Sequence, residues 1–232
     1  MAALQPKAGR GRRPLVHHGV ALVCDTRHED EAAAQGFGAV AGLDEVGRGA
    51  LCGPVLAAAV VLGSGFATTG LDDSKRLGAR ERERLSARIR DGARAWAVGR
   101  AEAREVDRFN VLRATHLAMR RALAALSEPP DLLLVDALTI PGVEIPQRPI
   151  VKGDAVSVSI AAASIVAKVA RDAIMRELDE RYPGYGLARN MGYASEDHRD
   201  ALRRLGPSAI HRRSFQVSDV VQPWLFEPQK GH

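Results

Sequence analysis

The order of apolar and polar positions along the chain predicts strands first and strand–helix units afterwards. Apolar runs at 37–43 and 51–62 predict two strands, and the glycines between them permit a tight reversal. An alternating run at 94–100 predicts a third strand, and 131–136 predicts a short fourth strand that ends in an acid. A tight reversal followed by strand–helix units indicates the α/β class, with a mixed sheet and helices on its faces.

Amphipathic and alanine-rich segments predict the helices. They cover 25–35, 80–90, 110–127, 157–181 and 195–205. Segment 110–127 has the clearest helical spacing of apolar residues, and two prolines follow it. Segment 157–181 carries alanine and serine on one side, which allows close packing on a sheet. In the first helix, we expect Asp25 to be the cap and Gly36 to end the helix.

Length and composition exclude several classes of protein. The 232 residues suffice for one domain with its own core, and fractions of 46% hydrophobic and 26% charged residues are those of a globular chain. Two cysteines cannot form a disulfide framework. No apolar run approaches the roughly 18–20 residues of a membrane span, and the N-terminus lacks the apolar core of a signal peptide. We expect a cytoplasmic protein without membrane association, with a flexible basic arm at 1–24 and a single domain at 25–232.

The net charge of +5 is unevenly distributed along the chain. Residues 1–24 carry +4, residues 181–213 carry another +4, and the remainder carries −3. Net charge alone therefore says little about a nucleic-acid partner, because the bulk of the chain is slightly acidic. The acids of that remainder are the more informative positions.

The first candidate site is the adjacent pair Asp44 and Glu45, at the end of an apolar strand. Neighbouring residues in a strand point to opposite faces, so both can serve one site only if the backbone bends. Gly47 and Gly49 allow such a bend. The alternative is a capped turn with solvated acids.

Two further acids occupy comparable positions. Asp136 ends the fourth predicted strand, and Asp154 precedes the long helix; taken alone, the first could be a loop acid and the second a helix cap. Together with the first pair they make four carboxylates from three segments, with no His or Cys nearby. Such hard oxygen ligands suit Mg²⁺ or Mn²⁺ and not Zn²⁺. Two such ions about 3.5 to 4 Å apart would activate a water and stabilise the leaving oxygen of a phosphodiester.

Other candidates concern nucleic-acid contacts. Tyr193 lies in the basic C-terminal stretch, where an aromatic ring among arginines suits stacking on a nucleotide and gripping phosphates. The alternative is a core tyrosine. Ser74 and Lys75 could contact a phosphate or cap a helix.

The sequence resembles bacterial ribonuclease HII, the type 2 ribonuclease H. The matching segments are 42–62, 71–77, 133–137, 151–172, 182–198 and 206–215. They follow the family's order and cover the chain from about 38 to 215. Val46, Ala137 and Ser195 depart from the family's usual residues, but none of them is a carboxylate.

The resemblance implies a ribonuclease H-like fold: a mixed five-stranded sheet flanked by helices, with a C-terminal helical extension from about 181. It implies an endonuclease that cleaves the RNA strand of RNA–DNA hybrids and incises 5′ of single ribonucleotides embedded in duplex DNA, leaving 5′-phosphate and 3′-hydroxyl ends. Its partners would be those nucleic acids, and we expect a monomer. The sequence identifies no sliding-clamp contact.

The resemblance also assigns roles to residues. Asp44, Glu45 and Asp136 resemble the metal ligands, and Asp154 the fourth acid; all four would be catalytic, with two ions when substrate is bound. The loop of Gly47, Arg48 and Gly49 matches the backbone that senses a ribose 2′-hydroxyl. Tyr193 matches the tyrosine that packs on the junction nucleotide. Ser74, Lys75 and Lys152 are candidate phosphate contacts.

Two alternatives to this function remain open at the level of sequence. One is a ribonuclease HIII-like nuclease that cuts long hybrids without junction specificity. The other is a protein that binds hybrids without cleaving them. All four acids argue against a pure binder, because concentrated negative charge facing phosphate does not help binding.

Overall fold

The computed structural model describes residues 15–17 and 20–215. The strands are β1 (Leu15–His17), β2 (Val20–Leu22), β3 (Val40–Val46), β4 (Val55–Val61), β5 (Ala95–Ala101), β6 (Leu132–Asp136) and β7 (Gln147–Ile150). The helices are α1 (Arg27–Ala34), α2 (Ala79–Gly92), α3 (Ala103–Phe109), α4 (Val111–Ala124), α5 (Val158–Arg181), α6 (Leu187–Asn190) and α7 (Glu196–Leu205). Short 3₁₀ turns cover Ser74–Arg76 and Gly153–Ala155.

Strands β3 to β7 form one sheet in the order β5–β4–β3–β6–β7. β3, β4 and β5 pair antiparallel, whereas β3, β6 and β7 pair parallel. The mixed five-stranded sheet expected from the sequence is confirmed. Because β3 and β6 are parallel neighbours, their carboxyl ends meet at the same edge.

Helices cover both faces of this sheet. α5 packs on β3 and β4 from one face, with α2 beside it, and α4 packs on β4 and β5 from the other face. α5 approaches β3 so closely that a Cβ on Gly42 would lie 2.1 Å from the carbonyl carbon of Ser159. The alanines and serines of α5 permit this approach, as the sequence predicts, so α5 is a fixed support for the end of β3.

The C-terminal helices pack at the far end of α5. A separate apolar cluster joins them to the loop that follows β3, and its buried members include Cys52, Met175, Leu187 and Leu202. The hydroxyl of Tyr185 donates a 2.8 Å hydrogen bond to the carbonyl of Gly206, which fixes the segment after α7. The expected C-terminal helical extension is therefore built onto the loop beyond β3.

The first helix begins differently from the prediction but ends where it was expected to end. The first helix begins after Thr26, and Asp25 accepts hydrogen bonds from Arg27 instead of capping it, so the predicted cap is wrong. The expected end at Gly36 holds, because the helix stops at Ala34 and Gly36 has φ +92°.

α3 and β7 are among the elements that the sequence analysis does not predict. α3 is short, and its capping box uses Glu102 and Glu105 in place of the usual Ser or Thr. β7 contains Pro149, which is tolerated because β7 is an edge strand.

A small hairpin of β1 and β2 lies within 1–24, where the sequence predicts a flexible arm and no strands. Residues 1–14, 18, 19 and 216–232 lie outside the described residues. In the part of the chain that is described, no helix combines the length and apolar character needed to span a bilayer.

Candidate active site

Two of the four candidate carboxylates stand side by side where β3 and β6 end. The parallel register pairs Leu43 with Val135, so the following residues, Asp44 and Asp136, are neighbours on the same face of the sheet. That face is the one covered by α5. The topology thus brings acids from distant parts of the chain to one edge.

Glu45 projects from the other face of β3, on the side of α4. Its Oε1 accepts a 2.9 Å hydrogen bond from Nη1 of Arg48. The bend expected between the two adjacent acids is absent, because β3 stays paired with β4 through Val46 and the chain turns only at Gly47. β6 ends at Asp136, and Glu45 is nevertheless close enough to the other two acids for its charge to raise the pKa of both Asp44 and Asp136.

Asp154 lies in the 3₁₀ turn Gly153–Ala155 that precedes α5. The backbone N–H of Gly153 donates a 2.7 Å hydrogen bond to Oδ1 of Asp136, which ties this turn to the end of β6. Ser157 caps α5 with its side chain, so the alternative interpretation of Asp154 as the helix cap is wrong.

Lys75 places a positive charge at the rim of this acidic cluster. Its Nζ lies 2.9 Å from Oδ2 of Asp154 and 3.5 Å from Oδ1 of Asp73. The lysine side chain is 75% exposed, whereas that of Asp154 is 8% exposed. The ammonium group is thus oriented by the acids and remains accessible to a ligand.

The acids disturb one another's ionisation. Burial raises the pKa of Asp44 well above its usual range, and the negative charges of Glu45 and Asp136 raise it further. Burial, followed by the charge of Asp154, raises the pKa of Asp136 to about 6. Burial also raises the pKa of Asp154, although the hydrogen bond from Lys75 opposes the shift. Negative charge concentrated in this way is stabilised by a bound cation.

The donor set fits a hard divalent cation. All four side chains offer carboxylate oxygens, the ligands that Mg²⁺ and Mn²⁺ prefer. Oε2 of Glu45 is buried and has no hydrogen-bond partner, while Arg48 engages only Oε1. A buried carboxylate oxygen without a partner is unfavourable unless it meets a cation. This oxygen is the local observation that supports a metal role.

The tightest group of potential ligands lies elsewhere. Among the described residues, the group of three that brings its ligand atoms within 4.8 Å of one another is Cys52, His198 and His211. None of the four carboxylates belongs to this group. The four carboxylates therefore form an open acidic cluster and not a closed coordination shell.

An open cleft of about 380 Å³ lies beside Asp136 and Asp154. Lys75 and Lys152 also line it, and Lys152 is exposed. Ser74 differs from these lysines: it is 4% exposed, and its hydroxyl accepts a 2.9 Å hydrogen bond from Ser164. The cleft therefore combines acids with two accessible ammonium groups, and the hydroxyl of Ser74 has a structural partner.

The loop of Gly47, Arg48 and Gly49 follows β3 directly. Gly47 has φ +89°, and a Cβ there would lie 2.2 Å from Nε of Arg171, so only glycine fits. Gly49 is exposed, with nothing within 4 Å of the position of a Cβ. The outer part of the loop thus presents open backbone within a few residues of Asp44.

Tyr193 combines an exposed ring with a fixed backbone. The residue is 38% exposed, and the guanidinium carbon of Arg171 lies 5.5 Å from its ring centroid. Its N–H donates to the carbonyl of Asn190, and its own carbonyl accepts from Nδ1 of His198, each at 2.9 Å. The alternative of a core tyrosine is therefore wrong.

Sequence reasoning misses two buried arginines in this region. Arg171 of α5 and Arg212 of the C-terminal segment donate hydrogen bonds to carbonyls of the loop after β3. Their local pattern does not mark them, because 33 Lys and Arg residues are spread along the chain. Their places within the matched segments 151–172 and 206–215 are the only signal.

Comparisons with known proteins agree with this architecture. A family model described as Ribonuclease HII matches residues 41–218. The ribonuclease HII of Moorella thermoacetica is 53% identical over 182 residues, covering 78% of this chain and 88% of that protein. The crystal structure of ribonuclease H2 from Pyrococcus horikoshii OT3 is similar with a TM-score of 0.64 and 28% identity, covering 77% of this chain and 94% of that one. Bst-RNase HIII, solved in complex with Mn²⁺, shares the fold with a TM-score of 0.57 and 21% identity, covering 75% of this chain and 65% of that one.

The family match includes every candidate site residue from Asp44 to Tyr193. The identity to a curated relative exceeds half over most of both chains. The chain therefore belongs to the ribonuclease HII family, the divalent-metal-dependent endoribonucleases that hydrolyse RNA–DNA hybrids.

Proposed function

We propose that this chain incises duplex DNA on the 5′ side of a single embedded ribonucleotide and also cleaves the RNA strand of hybrids, leaving 5′-phosphate and 3′-hydroxyl ends. The observation that supports the proposal is the position of two candidate recognition elements, the loop 47–49 and Tyr193, on neighbouring segments beside the carboxylates. The enzyme would act as a monomer in the cytoplasm and remove ribonucleotides from DNA.

The proposed metal ligands are Asp44, Glu45 and Asp136, with Asp154 serving a second ion or its water. The ions would be Mg²⁺ or Mn²⁺, two of them with substrate bound. When bound, such ions supply an activated water and stabilise the leaving oxygen. The protein's own contribution is to hold the acids on a rigid strand edge supported by α5.

Recognition would depend on the ribose. The 2′-hydroxyl distinguishes RNA from DNA, and the open backbone at Gly49 can offer it hydrogen-bonding groups. The exposed ring of Tyr193 can pack on the junction nucleotide. Lys75 and Lys152 are exposed and suited to phosphate contacts, while burial of Ser74 leads us to omit it from this group.

The proposal is tested with three matched duplexes: one with a single ribonucleotide, one all-DNA, and one RNA–DNA hybrid. We expect cleavage of the first and third in Mg²⁺ or Mn²⁺, none of the second, and none of any in EDTA. Cleavage restricted to the hybrid would instead support the ribonuclease HIII-like alternative. Binding without cleavage would support the non-catalytic alternative.

A further inference from the structure

Two buried arginines lie directly beneath the recognition elements. Arg171 is 0% exposed and Arg212 is 3% exposed. Among the described residues, neither guanidinium group forms an ion pair with a carboxylate. Both donate instead to backbone carbonyls of the segments that carry the loop 47–49 and Tyr193.

Arg212 holds two residues of the loop 47–49, Gly47 and Arg48. Its Nη2 lies 2.7 Å from the carbonyl oxygen of Gly47, and its Nη1 lies 2.8 Å from that of Arg48. Nη2 and Nε also donate to the carbonyl of Gly53, at 3.0 and 3.2 Å. One planar group with several donors therefore sets the path of the loop between β3 and β4.

Arg171 connects this loop to the segment of Tyr193. Its Nε donates to Pro54 at 3.0 Å and its Nη2 to Cys52 at 3.2 Å, both in the segment leading into β4. Its Nη1 donates to the carbonyl of Met191 at 2.8 Å, and its guanidinium group faces the ring of Tyr193. The same side chain thus joins the segment that follows the loop 47–49 to the segment of Tyr193.

Burying these two positive charges side by side has an energetic cost. Burial, and then the positive charge of Arg171, lower the pKa of Arg212 to about 10. Two like charges buried together are unfavourable, and apolar residues of similar volume would avoid the repulsion. A role in geometry explains why such a pair is present.

The nearby cluster of Cys52, His198 and His211 suggests a metal site at first, but its hydrogen bonds argue otherwise. Nδ1 of His198 donates to the carbonyl of Tyr193, which leaves its Nε2 as an acceptor. Nδ1 of His211 accepts from the N–H of Ser208, so its Nε2 carries a proton and donates to His198 at 3.1 Å. Both candidate ligand nitrogens are engaged, and two neighbouring guanidinium charges oppose a cation. His198 supports the backbone of Tyr193, and His211 in turn holds His198.

We propose that Arg212 and Arg171 are positioning residues for ribonucleotide recognition: they hold the loop 47–49 and Tyr193 in the relative arrangement that reads a junction. The inference rests on the proposed function of these two elements. It assigns the two arginines no contact with the reacting phosphate. Their loss should therefore change substrate discrimination more than cleavage itself.

The test compares Arg212→Lys and Arg171→Lys with wild type and with Arg88→Lys. Lysine keeps the charge, but its compact ammonium group lacks the planar fork of donors with which arginine spans these separated carbonyls. Arg88 is a matched control, because it also donates to a carbonyl, that of Thr69, and also faces a ring, that of Phe66, away from the site. For both test variants, the ratio of kcat/KM on the single-ribonucleotide duplex to that on the hybrid should fall about tenfold or more. Arg88→Lys should leave the ratio unchanged.

Amide hydrogen exchange in the free protein gives a second readout. Residues 47–49 and 191–193 should exchange faster in both test variants, while β3 and β4 keep wild-type protection. Unchanged exchange, an unchanged ratio, or equal loss on both substrates would overturn the inference. If the wild-type protein does not cleave the single-ribonucleotide duplex, the proposed function is wrong. The hydrogen-exchange measurement then still shows whether the arginines fix the loop.

A further variant covers the case in which a lysine variant does not fold. Gly47→Ala leaves both arginines in place but drives a Cβ to within 2.2 Å of Nε of Arg171, so it displaces the loop from its support. It should show the same selective loss on the single-ribonucleotide duplex. Full retention of the ratio would contradict the inference.

Discussion

At the scale of single residues, the site places carboxylates where their negative charges destabilise the metal-free protein. Asp44 and Asp154 are buried, Asp136 beside them is half-buried, and each of the three has a raised pKa. In the metal-free protein, ionising them is therefore unfavourable. An acid at such a position contributes to binding or chemistry at the expense of stability.

We predict that Asp136→Asn abolishes cleavage and stabilises the metal-free protein. The folded pKa of Asp136 is about 6, above its ordinary 3.8, so its contribution to stability is fully present below pH 3.8 and is lost as the pH rises through 6. Asparagine removes this loss and can still accept the hydrogen bond from Gly153. After discounting for partial exposure, the gain at pH 8 is about 1–2 kcal/mol in the free energy of unfolding.

The measurement is urea unfolding in EDTA at pH 8 and at pH 4, with Asp91→Asn as the control. Asp91 is an exposed acid of α2, so its substitution should change stability by less than about 0.5 kcal/mol. A destabilised Asp136→Asn at pH 8 would refute the electrostatic description of the site.

At the scale of elements, the active-site edge depends on how closely α5 packs on β3. We predict that Gly42→Ala destabilises the protein by about 3 kcal/mol or more, because its Cβ would lie 2.1 Å from the backbone of Ser159 and α5 cannot yield locally. Gly63→Ala is the matched control, since a Cβ there meets nothing within 4 Å. Thermal unfolding compares the melting temperatures of the two variants, and equal values would exclude tight α5–β3 packing.

The contact between α7 and the C-terminal segment predicts that stability falls as the pH is lowered, which is opposite to the effect of Asp136. Burial, and then the charge of His198, lower the pKa of His211 from 6.5 to about 4. As the pH falls, His211 is protonated in the unfolded chain before it is protonated in the folded protein. The contribution of His211 to stability is therefore present above pH 6.5 and is lost as the pH falls towards 4. The loss amounts to about 2–3 kcal/mol.

His211→Gln isolates this effect, because glutamine can still donate to His198 but does not titrate. Its unfolding free energy should fall less than that of wild type between pH 7 and pH 4. Parallel pH curves for the two proteins would show that His211 does not carry the effect.

Elements were predictable where a long local pattern determined them. The alanine- and serine-rich run marks α5, and the apolar run before Asp136 marks β6. How Asp44 and Glu45 come to lie at one site was not predictable in the same way. Local alternation shows that they diverge, but only the register of β3 with β6 places Asp136 beside Asp44.

At the scale of the whole molecule, the separation of charge visible in the sequence has a structural counterpart. The four acids come from the slightly acidic body and meet at one sheet edge, while Tyr193 and Arg212 come from the basic stretch 181–213. Chain order alone indicates the carboxylates and, through family resemblance, the loop and the tyrosine. The buried arginines beneath them become visible only in three dimensions, because their partners are backbone carbonyls, which leave no trace in a sequence pattern.

The central claim is that the loop 47–49 and Tyr193 direct the carboxylate cluster to a ribonucleotide junction. The most direct test is to map, at nucleotide resolution, the cut in a duplex that contains one ribonucleotide. We predict a single incision on its 5′ side, with a 3′-hydroxyl on one product and a 5′-phosphate on the other. A cut on the 3′ side of the ribonucleotide, or no cut while an RNA–DNA hybrid is cleaved, would contradict the account.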